Sequence, residues 1–356
     1  MKTIIAACSQ NLSGSRGSIQ PTLRRLLAVP WPWQRDVRSC LQLLAVLQWV
    51  LSFLLLGTVS LLVLIYLVFT SFWPISVLYL AWIIFDWDTP EKGGRRLPCL
   101  RRWTVWKHFR DYFPVKLVKT HDLSPSRNYI IGSHPHGILC VGAFCNFITG
   151  STGFEELFPG IRSFFFFRLP LFREYLMSGG LFPVTRRAIG HLLSHNGMGN
   201  AVAIVIGGAA ESLSCRPGLT TLVLKNRKGF VRMALQHGAY LVPSFSFGEN
   251  DLFRQVVFEE GTWMRSIQKR FQKMMGFAPC VFYGRGLTSV QSRGFLPYAR
   301  PITTVVGEPV VVPKVQNPSR EMVDMYHEKY IHALLKLFNE NKTKYGLSET
   351  DELHIL

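Results

Sequence analysis

The chain has 356 residues, with 40 Lys and Arg against 22 Asp and Glu, a formal net charge of +18, and 48% hydrophobic against 17% charged residues. Soluble domains carry about 25% charged residues. The apolar content excludes intrinsic disorder, and the length allows two domains or one large domain with an appendage. Acids are the missing class, and the basic excess implies an anionic partner: nucleic acid, an anionic membrane surface or a phosphate-bearing small molecule.

Residues 1–40 form a basic segment in which Lys2, Arg16, Arg24, Arg25, Arg35 and Arg38 stand against one acid, Asp36. Its apolar stretch, Ile4 to Ala7, is shorter than the core of a signal peptide. From Leu41 to Phe85 follow 45 consecutive residues without Asp, Glu, Lys, Arg or His. A helix needs about 20 apolar residues to cross a bilayer. The run therefore suffices for two crossings, with Thr70, Ser71 and Pro74 marking the break. Leu41 to Phe69 is Leu-rich, and Phe72 to Phe85 carries Trp73, Tyr79 and Trp82, which suit the interface between headgroups and tails. Lys92, Arg95, Arg96, Arg101, Arg102, Lys107 and Arg110 follow. Basic flanks stay on the cytosolic side, so 41–85 reads as a membrane hairpin of two hydrophobic helices with both termini cytosolic. The alternative is a buried helix pair in a soluble protein, and the length of the run favours the membrane. The sequons at Asn11 and Asn341 then stay unmodified. Seven cysteines (8, 40, 99, 140, 145, 215, 280) are odd in number and form no CxxC pair. They read as reduced thiols rather than disulfides or a zinc site.

Residues 86–125 read as a linker and basic amphipathic segment. Gly93-Gly94-Arg95-Arg96 and Pro98 mark the linker. A helix from Arg101 to Phe113, with Trp103, Trp106, Phe109 and Phe113 and stopped by Pro114, lies either on the membrane surface or against a core. In 126–356, strands are expected at 128–132, 201–206, 239–247 and 302–306. Helices are expected at 137–148, 185–195, 228–238 and 262–275. Apolar strands alternating with helices indicate an α/β fold with a mostly parallel sheet covered on both faces. Ser319 caps a last helix whose packing stripe is Met322, Met325, Tyr326, Tyr330, Ala333, Leu334, Leu337 and Phe338.

Between residues 126 and 250 the carboxylates are Glu155, Glu156, Glu174, Glu211 and Glu249. Against that sparse background, His134-Pro135-His136-Gly137 follows directly on the first strand of this region. Ligands of open α/β sheets bind at the carboxyl ends of strands. Two imidazoles on a Pro-stiffened turn there suit general-base work near neutral pH. A satisfied turn histidine or half of a metal site is the structural alternative, although HPH is not a usual zinc spacing. Glu211, in Gly207-Gly208-Ala209-Ala210-Glu211, follows a second strand end. It can orient an imidazole, or simply sit in the first turn of a helix. Arg227-Lys228-Gly229-Phe230-Val231-Arg232 offers cations and a close-approach glycine. It suits a phosphate-bearing ligand or a solvated basic face. The chain lacks GxSxG, GxxxxGK[ST] and GxGxxG, which argues against a serine esterase, an NTPase and a dinucleotide enzyme.

HPHG at 134–137, GGAAE at 207–211 and the long block from Arg227 to Glu249 resemble the diacylglycerol/monoacylglycerol acyltransferase family. Tyr112-Phe113-Pro114 and Phe53-Leu54-Leu55-Leu56 extend the likeness over nearly the whole chain. The resemblance implies an acyl-CoA-dependent enzyme of the endoplasmic reticulum membrane and lipid-droplet surface that makes triacylglycerol, with a glycerolipid-acyltransferase-like α/β domain. Fatty acyl-CoA is then a co-substrate, diacylglycerol the acceptor, and neither cofactor nor metal is implied. It points to His136 as the base more than His134. The wider superfamily pairs its His with an Asp beyond a four-residue spacer. Neither His134 nor His136 is followed by one, which makes Glu211 the candidate acid. Amides at the start of the helix after Gly137 are candidates for the oxyanion. Arg227, Lys228, Gly229 and Arg232 are candidates for binding acyl-CoA, and Pro135, Gly137, Gly207 and Gly208 for shaping the turns. Within the class, monoacylglycerol, a wax alcohol or retinol are alternative acceptors, and self-association is open. A non-catalytic hairpin coat of lipid droplets needs no apolar sheet and no paired imidazoles, and no motif supports nucleic-acid binding. The stretch from Ser163 to Phe172 is shorter than the family pattern.

Overall fold

The computed structural model describes residues 37–164, 172–181, 183–275, 279–287, 289 and 291–356. The basic segment up to residue 36, and residues 165–171 of the shortened stretch, lie outside them. The chain divides into two units, Met1–Cys40 and Leu41–Leu356. The second carries the fold.

The charge-free run makes two helical arms of unequal length. Helix α1 (Val37–Leu51) passes through one π-helical turn (Ser52–Leu56) into α2 (Gly57–Val68). Together they make a 32-residue helix, the one candidate span among the described residues. After a turn, α3 (Trp73–Phe85) folds back along α2, and the Ser76 hydroxyl donates to the Leu64 carbonyl at 2.8 Å. Gly57, Ser60 and Ser76 are the buried residues of this pair, small side chains that let two helices approach closely. At 1.5 Å per residue, the 13 residues of α3 reach about 20 Å, short of a hydrocarbon core of about 30 Å. The break falls at Thr70 to Pro74, as the sequence suggests, and divides the run into a longer and a shorter arm.

The run is also divided in its surroundings. Ala45, Val46, Trp49 and Val50 of α1 are buried, and the Trp49 ring lies 5.5 Å from Phe109 and 5.1 Å from Phe144. By contrast, Leu62, Phe69, Leu78, Ile84 and Phe85 on α2, α3 and their turn are exposed. The amphipathic helix α4 (Thr104–Tyr112) starts three residues later than its sequence pattern, behind a separate helical turn at Pro98–Arg101. Trp106, Phe109 and Tyr112 are buried, so this helix faces a core.

Six strands form the main sheet: β1 (Lys116–Lys119), β2 (Tyr129–His134), β3 (Arg162–Phe164), β4 (Asn200–Val205), β5 (Tyr240–Phe247) and β6 (Thr303–Val306). Their order is β1-β6-β5-β2-β4-β3. All pairings are parallel except β6 with β5. The strands β1 and β3 were not expected, and β1 draws part of the segment 86–125 into the sheet. Side chains alternate between faces at period two. Ile130 and Leu241 enter one core, while Tyr129, Ile131 and Val242 enter another. Both faces are thus covered, as near-continuous apolar strands require.

The remaining principal helices, in chain order, are α5 (Phe172–Gly179), α6 (Arg186–Ser194), α7 (Gly208–Ser212), α8 (Gly229–His237), α9 (Trp263–Met275) and α10 (Arg320–Asn341). The Ser319 hydroxyl caps α10 by accepting the Met322 amide at 3.2 Å. The inward stripe of α10 is Val323, His327, Tyr330, Leu334, Leu337 and Phe338. Met325 is exposed, a correction of the expected stripe. The expected helix at 137–148 is a turn followed by a short helix at Val141–Ala143 and a π-helical turn at Phe144–Ile148.

Candidate active site

The central strand β2 delivers His134 and His136 to the carboxyl edge of the sheet. The peptide between His134 and Pro135 is cis. His134 is fully buried, and its Nε2 lies 2.9 Å from the Tyr330 hydroxyl of α10. Burial lowers its pKa to about 3, so this imidazole stays neutral at physiological pH. It sits beneath the turn against α10 and is not among the residues that line the cavity at His136.

His136 is half-buried on the turn itself. Its Nδ1 lies 3.0 Å from the Gly137 carbonyl and 2.8 Å from the Ser212 hydroxyl. A carbonyl can only accept, so Nδ1 carries the proton and Nε2 keeps its lone pair. Burial lowers the His136 pKa, which favours the neutral form that a base requires. The Cys140 thiol is close to the ring, 3.5 Å from Nδ1 and 3.7 Å from Nε2.

Glu211 is buried at the start of α7 but does not hold the imidazole. Its Oε1 accepts the backbone N–H of His136 at 2.6 Å, and its Oε2 accepts that of Val223 at 2.9 Å. Burial raises its pKa, against the opposing pull of the two amides and the Arg227 charge. The expected carboxylate–imidazole pair is thus corrected: Glu211 positions the backbone of the turn. A Cβ on Gly207 would come within 2.0 Å of its Oε2, which explains glycine there. Gly208 begins α7.

A second carboxylate, to which the sequence reading gives no role, completes the clamp. Glu249 follows β5 and is buried. Its two oxygens accept the amides of Val141 and Gly142, each at 2.7 Å. Burial raises its pKa to about 7 despite those two bonds. Gly137 has φ +63°, and a Cβ there would press on Glu249 Cγ at 2.8 Å. The amides of Val141 and Gly142 are therefore engaged, a correction to the expectation that the helix start holds the oxyanion. The visible signal for Glu249 is its rarity, as one of five carboxylates between residues 126 and 250.

His136 lines a cavity walled by Trp49 of α1, Phe53 of the π-helical turn, Phe144, Tyr175 and Leu176 among others. Its apolar walls with few polar groups suit a lipid chain. None of the four basic-block candidates lines it. Lys228 pairs with Asp324 at 2.7 Å, while Arg227, Gly229 and Arg232 are exposed. The Arg227 charge nevertheless acts on Glu211. Among the described residues, no group of three or more His, Cys, Asp and Glu is placed to hold a metal ion.

Residues 65–356 match the family model described as diacylglycerol acyltransferase. The chain is 56% identical over 360 residues to diacylglycerol O-acyltransferase 2 of Danio rerio, covering 100% of both chains. It is 55% identical over 347 residues to diacylglycerol O-acyltransferase 2 of Homo sapiens, covering 96% of this chain and 89% of that one. It is 56% identical over 330 residues to human diacylglycerol O-acyltransferase 2-like protein 6, covering 90% and 98%. With a family model matched over most of its length and relatives this similar over nearly all of it, the chain belongs to the diacylglycerol acyltransferase family.

Proposed function

We infer that this protein transfers a fatty acyl group from acyl-CoA to the free hydroxyl of diacylglycerol, forming triacylglycerol and CoA. The observation that carries the chemistry is His136, with Nδ1 protonated and Nε2 bearing a lone pair, on the wall of an apolar cavity. The names of relatives 55–56% identical over essentially the whole chain support the choice of reaction. His136 Nε2 takes the proton of the acceptor hydroxyl as its oxygen attacks the thioester carbonyl. Collapse of the tetrahedral intermediate breaks the C–S bond, and the imidazolium returns the proton to the departing CoA sulfur. Such general-base catalysis contributes about 10²–10⁴-fold. These steps need neither a metal nor a covalent acyl-enzyme.

The CoA phosphates and an anionic membrane surface are the anionic partners that the +18 charge suggests. Arg227, Lys228 and Arg232 supply cations for the CoA end. The exposed apolar faces of α2 and α3 support a membrane-embedded hairpin. Its place in the endoplasmic reticulum membrane and on lipid droplets follows the family resemblance, and the basic flanks favour cytosolic termini. The test is a microsome assay with labelled acyl-CoA and a panel of diacylglycerol, monoacylglycerol, a wax alcohol and retinol. Diacylglycerol is expected to be the best acceptor. Preferential labelling of another alcohol would overturn the assignment of acceptor.

A further inference from the structure

We propose that Ser212 is the positioning residue for the His136 imidazole, standing at Nδ1 where a carboxylate would otherwise hold the ring. The proposal rests on the acyltransferase reading of the site. Both nearby carboxylates are engaged elsewhere: Glu211 holds the amides of His136 and Val223, and Glu249 holds those of Val141 and Gly142. The side chain left within hydrogen-bond reach of Nδ1, apart from the Cys140 thiol, is Ser212. Its hydroxyl lies at 2.8 Å, and the residue is 2% exposed.

The hydrogen bonds form a directional chain. Nδ1–H is shared between the Gly137 carbonyl and Ser212 Oγ, and the Ser212 O–H in turn points to the Gly208 carbonyl one helical turn back, at a long 3.5 Å. A serine bonded to its i−4 carbonyl keeps lone pairs for a second donor. With the tautomer set by the Gly137 carbonyl, Ser212 holds the ring plane from a second side without bringing a negative charge to the ring. The imidazolium formed in the reaction leans on two neutral dipoles, so the base returns its proton readily. The titratable groups around the ring are Cys140 on its own turn, Glu211 on α7, Glu249 after β5 and Tyr175 on α5 across the cavity, with Arg227 beyond Glu211. The Cys140 thiol is kept protonated by burial and by the neighbouring carboxylates.

The test compares the full-length membrane protein with Ser212→Ala and Ser212→Thr. Two readouts are taken across pH: triacylglycerol formation, and carbethoxylation of His136 by diethyl pyrocarbonate followed by peptide mass spectrometry, which needs no turnover. In Ser212→Ala, kcat is expected to fall about 10-fold or more, with KM for acyl-CoA within about twofold. Loss of an acceptor for the imidazolium N–H should also move the carbethoxylation midpoint to lower pH by about half a unit. Ser212→Thr keeps the hydroxyl and is expected to keep the wild-type midpoint. An unmoved midpoint in Ser212→Ala, with or without a lower kcat, would show that Ser212 only packs and would overturn the proposal. If the wild-type chain esterified no alcohol, the midpoints would still decide the place of Ser212, and only the functional reading would fall.

Discussion

Glu211 and Glu249 each place two carboxylate oxygens on two backbone amides, so the reactive turn is held from both sides by its main chain. An amide offers one acceptor oxygen and turns an NH₂ group toward the other donor. Glu211→Gln should therefore cost about 1–3 kcal/mol of stability through one orphaned amide. It should also slow turnover about 10-fold by shifting the turn. Thermal unfolding in detergent and triacylglycerol formation check the two parts, and a variant normal in both would contradict the clamp. Glu249 makes a separate prediction in pH. Its folded pKa is about 7, above the ordinary 4.5. Below 4.5 both states are protonated. Between 4.5 and 7 the unfolded chain releases a proton that the folded one retains, so stability falls as pH rises through that window. Thermal midpoints measured across it should slope downward for wild type and more weakly for Glu249→Gln. Equal slopes would contradict the assignment. HPHG was legible because two imidazoles at a strand end stand out in an acid-poor region. Whether Glu211 faced a ring or a backbone was not, because that depends on side-chain direction across two strands. Ser212 gave no signal, since an isolated serine after a glutamate has many uses.

The elements around the hairpin are joined by a buried ion cluster. Asp86, directly after α3, pairs with Arg173 of α5 at 2.5 Å and with Arg95. The Tyr79 hydroxyl of α3 donates to Glu174 of α5 at 2.9 Å. The side chains of Asp86 and Arg173 are 1% and 8% exposed. Removing one partner of a buried pair strands the other charge, at about 3–5 kcal/mol. Asp86→Ala should lower the thermal midpoint accordingly, and a loss below about 1 kcal/mol would place the pair among ordinary surface bridges. The four longer apolar strands were readable from their runs. The edge strands β1 and β3 were not: β1 is four residues with Lys at both ends, and β3 is three residues. The unequal arms were hidden for a related reason. A charge-free run looks the same whether its helix meets lipid or, as at Trp49, the aromatic core of the α/β unit.

Across the whole molecule, the helix that enters the apolar hairpin also walls the cavity at His136, through Trp49 and Phe53. Composition pointed to a basic membrane protein with an α/β unit, but it could not show that the two share a cavity, because that contact joins residues about ninety positions apart. The shared wall predicts that Trp49→Ala lowers triacylglycerol formation while the chain remains membrane-bound, since α2 and α3 are unchanged. Full activity in that variant would separate the anchor from the site. The central claim is that His136 removes the acceptor's proton. Its most direct test is triacylglycerol formation from diacylglycerol and labelled acyl-CoA by His136→Ala, in membranes containing wild-type amounts of the protein. A loss of about 10²–10⁴-fold is predicted, and near-normal synthesis would contradict the account.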